Sequence, residues 1–212
     1  MNLIDLVEKE LGVDERNENT AVKPSGCTAC PAYKTGEGFV PGRGPLETAK
    51  IFFVGEGPGE DEPRIHGWPQ KLVPGSPFVG GSGRIFGKQL HLVGIERQDV
   101  YVTNVVKCRP WAWKDKVGGD KVNRVPTAEE IHHCSQYLKY EVQNAKAANV
   151  FVPLGGTALT ALTDLRSIDK WRGSVLESGG RKVVGTFHPA FVMRVQDLWP
   201  VVIHDLRKVK IE

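Results

Sequence analysis

No stretch of the 212-residue sequence approaches the roughly 20 consecutive apolar residues that a membrane helix needs. No charged leader with an apolar core and a small-residue cleavage site opens it either. These absences lead us to expect a cytoplasmic protein, nucleoid-associated if the cell is prokaryotic, with no membrane partner. Internal repeats and low-complexity tracts are missing too. There is no G-x-x-x-x-G-K-[ST] phosphate loop, no H-E-x-x-H and no visible Ser-His-Asp arrangement, so P-loop nucleotide binding and the commonest hydrolytic sites lack support. Cysteine is scarce, at four residues.

What remains suits one folded domain over residues 1–212: 40% of residues are hydrophobic and 25% charged, enough to bury a core. The formal net charge of +3 hides an uneven distribution. Residues 1–20 form an acidic segment with a local net of −4, which leaves +7 for the rest of the chain. Residues 107–124 hold Lys107, Arg109, Lys114, Lys116, Lys121 and Arg124 against Asp115 and Asp120, a local +4. With Trp111 and Trp113 among them, this segment suits a polyanion with stackable bases. A solvated, salt-bridged loop is the competing account.

The cysteines are Cys27 and Cys30 in a C-x-x-C pair, then Cys108 and Cys134. Without an export signal, disulfides are disfavoured and metal or redox chemistry is favoured. Pro24-Ser25-Gly26 before the pair and Pro31 after it place it in a loop, unlike a thioredoxin motif. Four thiolates holding an iron–sulfur cluster or structural zinc are one reading. Separately buried thiols are the other.

Apolar spacing predicts an amphipathic helix over residues 2–12, then a Gly- and Pro-rich loop over 17–48. Strands are expected at 50–55, 100–106, 149–154 and 182–186, with helices at 83–93 and 198–209. Thr127-Ala128-Glu129-Glu130 reads as a capping box, and Gly155-Gly156-Thr157 as another helix start. This alternation predicts an α/β fold, three layers α/β/α around a mostly parallel four-stranded sheet. Ligands of such sheets bind beyond the carboxyl ends of the strands. Glu56-Gly57-Pro58-Gly59, Asn104 with Lys107-Cys108, Gly155-Gly156 and His188 would meet there. Taken singly these signals are common: Gly81-Ser82-Gly83 looks like any helix start, and Phe78 reads as either a stacking platform or core.

In order along the chain, Cys27-Thr28-Ala29-Cys30, Gly55-Glu56-Gly57-Pro58-Gly59-Glu60-Asp61-Glu62 and Pro77-Phe78-Val79-Gly80 form the first half of a pattern. Thr103-Asn104-Val105-Val106-Lys107-Cys108-Arg109-Pro110, Asn123-Arg124-Val125-Pro126-Thr127, Cys134 and His188-Pro189-Ala190-Phe191-Val192-Met193-Arg194 complete it. The set resembles the family 4, iron–sulfur uracil-DNA glycosylases over about residues 25–210. The resemblance implies hydrolysis of the bond between uracil and deoxyribose in DNA, leaving an abasic site. It implies that Phe78 stacks on the extruded base, that Asn104 reads its edge, that Gly57 also binds it, and that Glu62 crowds C5 against thymine. Glu56 would stabilise the sugar cation or orient water, and His188 the uracil anion. Phe191, Val192 and Met193, with Arg194, would enter the duplex, and Ser82 and Thr157 would contact phosphates. Cys27, Cys30, Cys108 and Cys134 would hold a structural 4Fe–4S cluster, and the protein would act as a monomer on uracil-containing DNA. An iron–sulfur DNA-binding module without activity, or a glycosylase for deaminated purines, are the alternatives. Residues 63–76, with Trp68, and 111–122 are insertions relative to the family pattern.

Overall fold

The computed structural model describes residues 25–63, 75–115 and 118–209. The helix expected over residues 2–12 and most of the 63–76 insertion, Trp68 included, lie outside the described residues.

Strands form at β1 (Ile51–Gly55), β2 (Tyr101–Asn104), β3 (Trp111–Trp113), β4 (Lys121–Asn123), β5 (Val150–Pro153), β6 (Val175–Ser178) and β7 (Arg181–Val184). The main sheet has the order β2-β1-β5-β7-β6. Its first four strands run parallel, and β6 closes the edge antiparallel to β7. β1, β2 and β5 are buried along their whole length, as parallel strands under two helical layers require. β1 and β5 are accordingly apolar throughout, while β2 ends in the buried polar pair Thr103 and Asn104.

Neighbouring side chains of β1 point to opposite faces and enter different cores. Phe52 joins Tyr101, Phe151, Tyr137 and Leu138, the last two from the Ala128–Asn144 helix. Phe53 joins Phe86 and Leu90 of the Gly81–Leu92 helix and Val202 and Leu206 of the Trp199–Arg207 helix. Both phenylalanines are fully buried, so truncating either to alanine costs about 3–5 kcal/mol.

The sheet has five strands rather than the expected four. The additional strand, β6, is a half-exposed edge whose Glu177 and Ser178 break any apolar run. Its connection to β7 through Gly179 and Gly180, with φ of 58° and 73°, is a two-residue hairpin turn. The 111–122 insertion is likewise no plain loop: β3 and β4 pair antiparallel, Trp111 opposite Asn123 and Trp113 opposite Lys121. The capping box forms as expected, with Thr127 Oγ1 accepting from the Glu130 N–H and Glu130 Oε2 accepting from the Thr127 N–H. No described helix is long and apolar enough to cross a membrane.

Candidate active site

Parallel register sets the floor of the site. Gly55, the last residue of β1, pairs with Asn104, the last of β2. A Cβ on Gly55 would collide with Asn104 Oδ1 and stand 2.8 Å from Phe78 Cζ, so only glycine leaves room between amide and ring. Asn104 is 1% exposed, and neither its Oδ1 nor its Nδ2 has a hydrogen-bonding partner of good geometry. A buried carboxamide left unpaired costs about 1–3 kcal/mol, a penalty that a ligand of matching polarity removes.

Phe78 forms one wall. It is buried and sits at φ 59°, left-handed backbone that a bulky residue rarely adopts. Its ring lies 5.0 Å from Phe86 and 5.5 Å from the His188 imidazole. Gly83 allows this geometry, since a side chain there would strike the Phe78 carbonyl. The Glu62 carboxyl accepts from the main-chain N–H groups of Phe78 and Gly59 and feels the Asn104 amide, although Oε2 keeps no well-formed bond. Burial dominates these bonds and pushes Glu62 up to about 7.

Glu56, Gly57 and His188 line an open cleft of about 480 Å³ that Phe191 and Arg194 also line. Thr157 Oγ1 donates to Glu56 Oε2 at 2.5 Å. The hydroxyl expected to touch phosphate is therefore engaged in orienting a carboxylate. His188 accepts the Ala190 N–H at Nδ1, 3.1 Å away, which leaves Nε2 as the protonated nitrogen of a neutral ring. Burial, then the nearby Arg194 charge, lowers its pKa to about 4.

The Pro189–Arg194 helix divides the four expected DNA contacts. Phe191 and Met193 are 38% and 45% exposed, and Arg194 is exposed with its guanidinium 5.9 Å from the Phe191 ring centroid. Val192 departs from the expectation. It is 1% exposed and packs into the core that contains Phe86 and Leu90, because it lies on the inner side of its helix, which packs on the Gly81–Leu92 helix. Ser82 is half-buried in the first turn of the Gly81–Leu92 helix, beside Gly81, where a Cβ would stand 3.1 Å from Met193 Cε.

The four cysteines are thiols rather than disulfides, and all line one cavity of about 100 Å³ walled by Phe39, Val106 and Tyr137. The Lys107 main-chain N–H donates to Cys134 Sγ at 3.2 Å, and Cys27 Sγ lies 3.0 Å from the Tyr137 hydroxyl. Among the described residues, no set of three His, Cys, Asp or Glu side chains is placed to hold a single metal ion. Four thiol groups on one cavity form a donor set that fits soft-metal ligation, by an iron–sulfur cluster or by zinc.

The basic segment is largely neutralised internally, which favours the competing account of a salt-bridged segment over that of an open polyanion site. Lys107 is buried on Glu141, Arg109 and Lys121 share Glu37, and Arg124 grips both oxygens of Glu130. Sequence reasoning missed these partners. One signal was present: Glu141 continues the buried helical stripe of Cys134, Tyr137 and Leu138, and an acid on such a stripe calls for a buried cation.

The family model described as the uracil DNA glycosylase superfamily matches residues 41–207. A type-4 uracil-DNA glycosylase of Thermotoga maritima is 38% identical over 202 residues, covering 93% of this chain and 94% of the relative. Another, from Archaeoglobus fulgidus, is 36% identical over 192 residues, covering 86% of each chain. The solved structure of wild-type Pedobacter heparinus SMUG2 superposes with a TM-score of 0.51 at 11% identity, covering 76% of this chain and 74% of the other, a likeness of fold alone. With the family match spanning most of the sequence and close relatives covering nearly all of it, this chain belongs to the uracil DNA glycosylase superfamily and, within it, to the type-4 uracil-DNA glycosylases.

Proposed function

We propose that this chain hydrolyses the N-glycosidic bond of uracil in DNA, releasing free uracil and leaving an abasic site. The observation that carries the reading is the buried, unpaired Asn104 carboxamide beside the Phe78 ring. An extruded uracil offers N3–H to Oδ1 and O4 to Nδ2 while its face lies on Phe78. Cytosine presents the opposite pattern and leaves both polar pairs unmatched, the condition under which a buried site discriminates strongly. Glu62, which holds the Phe78 and Gly59 main chain, shapes the same recess and stands where a C5 methyl would intrude.

Breaking the bond develops negative charge on the base and positive character on the sugar. His188, neutral with its proton on Nε2, donates to the developing anion. Glu56, held by Thr157, stabilises the sugar cation and orients the attacking water. Phe191 and Met193 fill the space that the base vacates, with Arg194 beside them, and the Ser82 turn approaches the backbone. Cys27, Cys30, Cys108 and Cys134 hold a 4Fe–4S cluster, which supplies a structural cross-link between the C-x-x-C loop, the segment after β2 and the Ala128–Asn144 helix. The partner is uracil-containing DNA, met by a single copy of the chain in the cytoplasm.

The test is incubation with oligonucleotides carrying one uracil, followed by alkali cleavage. Cleavage at the uracil position, with free uracil recovered, is expected. Binding without release overturns the enzyme reading in favour of a DNA-binding module. Release of deaminated purines in place of uracil overturns the assigned specificity.

A further inference from the structure

The hairpin of β3 and β4 holds an aromatic surface for which the chemistry above has no use. Trp111 and Trp113, two residues apart on β3, share one face of the strand. Their rings meet edge to face, with centroids 5.0 Å apart and planes at 79°. Lys121, opposite Trp113 in the register, lays its ammonium 4.2 Å from the Trp111 centroid. Trp111 is thereby braced and half-buried, while Trp113 is 52% exposed.

The base of the hairpin is rigidly held. Arg109, 3% exposed, donates to Glu37 Oε2 and to Asn123 Oδ1, each at 2.8 Å. From Asn123 the chain continues through Arg124 and Val125, and all three line the cleft that contains Glu56 and His188. A fixed indole face thus stands on an arm that grows from the wall of the reaction cleft. Two of its cationic neighbours already have carboxylate partners, Lys121 with Glu37 at 2.6 Å and Arg124 with Glu130 at 2.6 Å, while Lys114, next in the chain, is exposed. The exposed indole itself offers a π-face and no charge, so what it adds to binding is stacking.

We propose that Trp113 is a stacking site for an unpaired nucleobase of the DNA strand that enters the cleft. The inference rests on the uracil-DNA reading of that cleft and adds to it a second base-binding position, outside the uracil recess. Stacking of this kind is tolerant of sequence, and it favours strands with unpaired bases over intact duplex.

The experiment compares the intact, cluster-containing protein with Trp113→Ala and Trp113→Phe by fluorescence anisotropy over a salt series. The probes are single-stranded and duplex oligonucleotides carrying one tetrahydrofuran abasic analogue. Trp113→Ala is expected to bind the single strand on the order of tenfold more weakly, and Trp113→Phe to recover most of the loss. The slope of log affinity against log salt is expected to match wild type, since no phosphate contact is removed. Unchanged affinity in Trp113→Ala, or a loss that is equal on duplex and single strand, overturns the platform. A loss accompanied by a salt slope shallower by about one also overturns it, because the hairpin would then be an ionic grip. Uracil release by the wild type is measured in parallel. Its absence overturns the underlying reading, whereas release together with unchanged Trp113→Ala affinity overturns the platform alone.

Discussion

The ammonium of Lys107 donates to the main-chain carbonyl of Asn104 at 2.8 Å. The same ammonium pairs with Glu141 Oε2 at 2.7 Å, and the lysine's own main-chain N–H donates to Cys134 Sγ. One residue therefore ties Asn104, proposed above to read the base, to the Ala128–Asn144 helix and to the cysteine cavity. Glu141 gathers the other ends of the network, accepting from Thr103, from the Tyr101 hydroxyl and from the Gly42 N–H. The pair is almost completely buried, so it serves geometry more than stability.

Replacing Lys107 by methionine removes the cation and leaves Glu141 charged and buried. Breaking such a pair on one side costs about 3–5 kcal/mol, so the denaturant midpoint is expected to fall steeply. Adding Glu141→Gln should recover part of that loss, because the uncompensated charge is gone while the amide still bonds Thr103 and Tyr101. If Lys107 positions Asn104, the double variant regains stability without regaining wild-type discrimination of uracil over cytosine. Denaturation curves and release assays on both bases read the two effects separately.

Thr157→Val removes the hydroxyl that holds Glu56. A hydrogen bond to a charged group is worth about 1.5–3 kcal/mol, and its loss frees the carboxylate to rotate. We expect kcat for uracil release to fall on the order of tenfold, while KM changes little and Thr157→Ser restores most of the rate. A rise in KM with kcat unchanged would return Thr157 to the phosphate role that its place at a helix start suggests.

Stability should depend on pH through two groups of opposite sign. His188 has its pKa lowered from 6.5 to about 4, so between those values the unfolded chain holds a proton that the folded chain lacks. That contribution is present above about 6.5 and is lost as the pH falls toward 4. Glu62 is raised from 4.5 to about 7, so the folded chain holds the extra proton. Its contribution is present in acid and is lost as the pH rises through 7. Denaturant midpoints measured from pH 4 to 8 should show His188→Asn flattening the acid limb and Glu62→Gln flattening the neutral limb. In the rate profile, the neutral imidazole predicts no inflection at 6.5 from His188.

Where burial is continuous, the architecture was legible in the sequence. The runs at β1, β2 and β5 and the Thr127 capping box rest on local patterns that the fold obeys. β6 and the 111–123 hairpin were missed because half-exposed edge strands need no apolar run, and only the Gly179-Gly180 and Gly118-Gly119 pairs marked their turns. The site was legible as residue types at strand ends, since parallel register brings Glu56, Asn104 and His188 to one rim. Its charge state was not. Counting lysines and arginines over residues 107–124 ignores Glu37, Glu130 and Glu141, which arrive from distant segments and neutralise most of that charge.

The cysteine cavity supports a prediction about order rather than catalysis. Cys27 and Cys30 sit in a short 3₁₀ turn with its following bend, and Cys108 and Cys134 come from beside β2 and from a long helix. The C-x-x-C segment has only a 3₁₀ turn, Ser25–Ala29, and one helical turn, Ala32–Thr35, and it reaches the core through Ala32, so its attachment depends largely on what fills the cavity. The cavity adjoins the Phe52 core, which contains Cys108, Cys134 and Tyr137. None of the four cysteines lies on a strand of the main sheet, however, and the Phe53 core on the opposite face is separate from the cavity. Removing the proposed cluster by oxidation and chelation, or substituting Cys134 by alanine, should therefore free the 25–36 segment while the sheet persists. Limited proteolysis is expected to cut within residues 25–36 in the stripped protein and not in the loaded one, with far-ultraviolet dichroism nearly unchanged. The loaded protein should contain iron and acid-labile sulfide in equal amounts. Zinc without sulfide would replace the cluster by a single-ion site, and identical proteolysis of the two forms would show that the segment is held by packing alone.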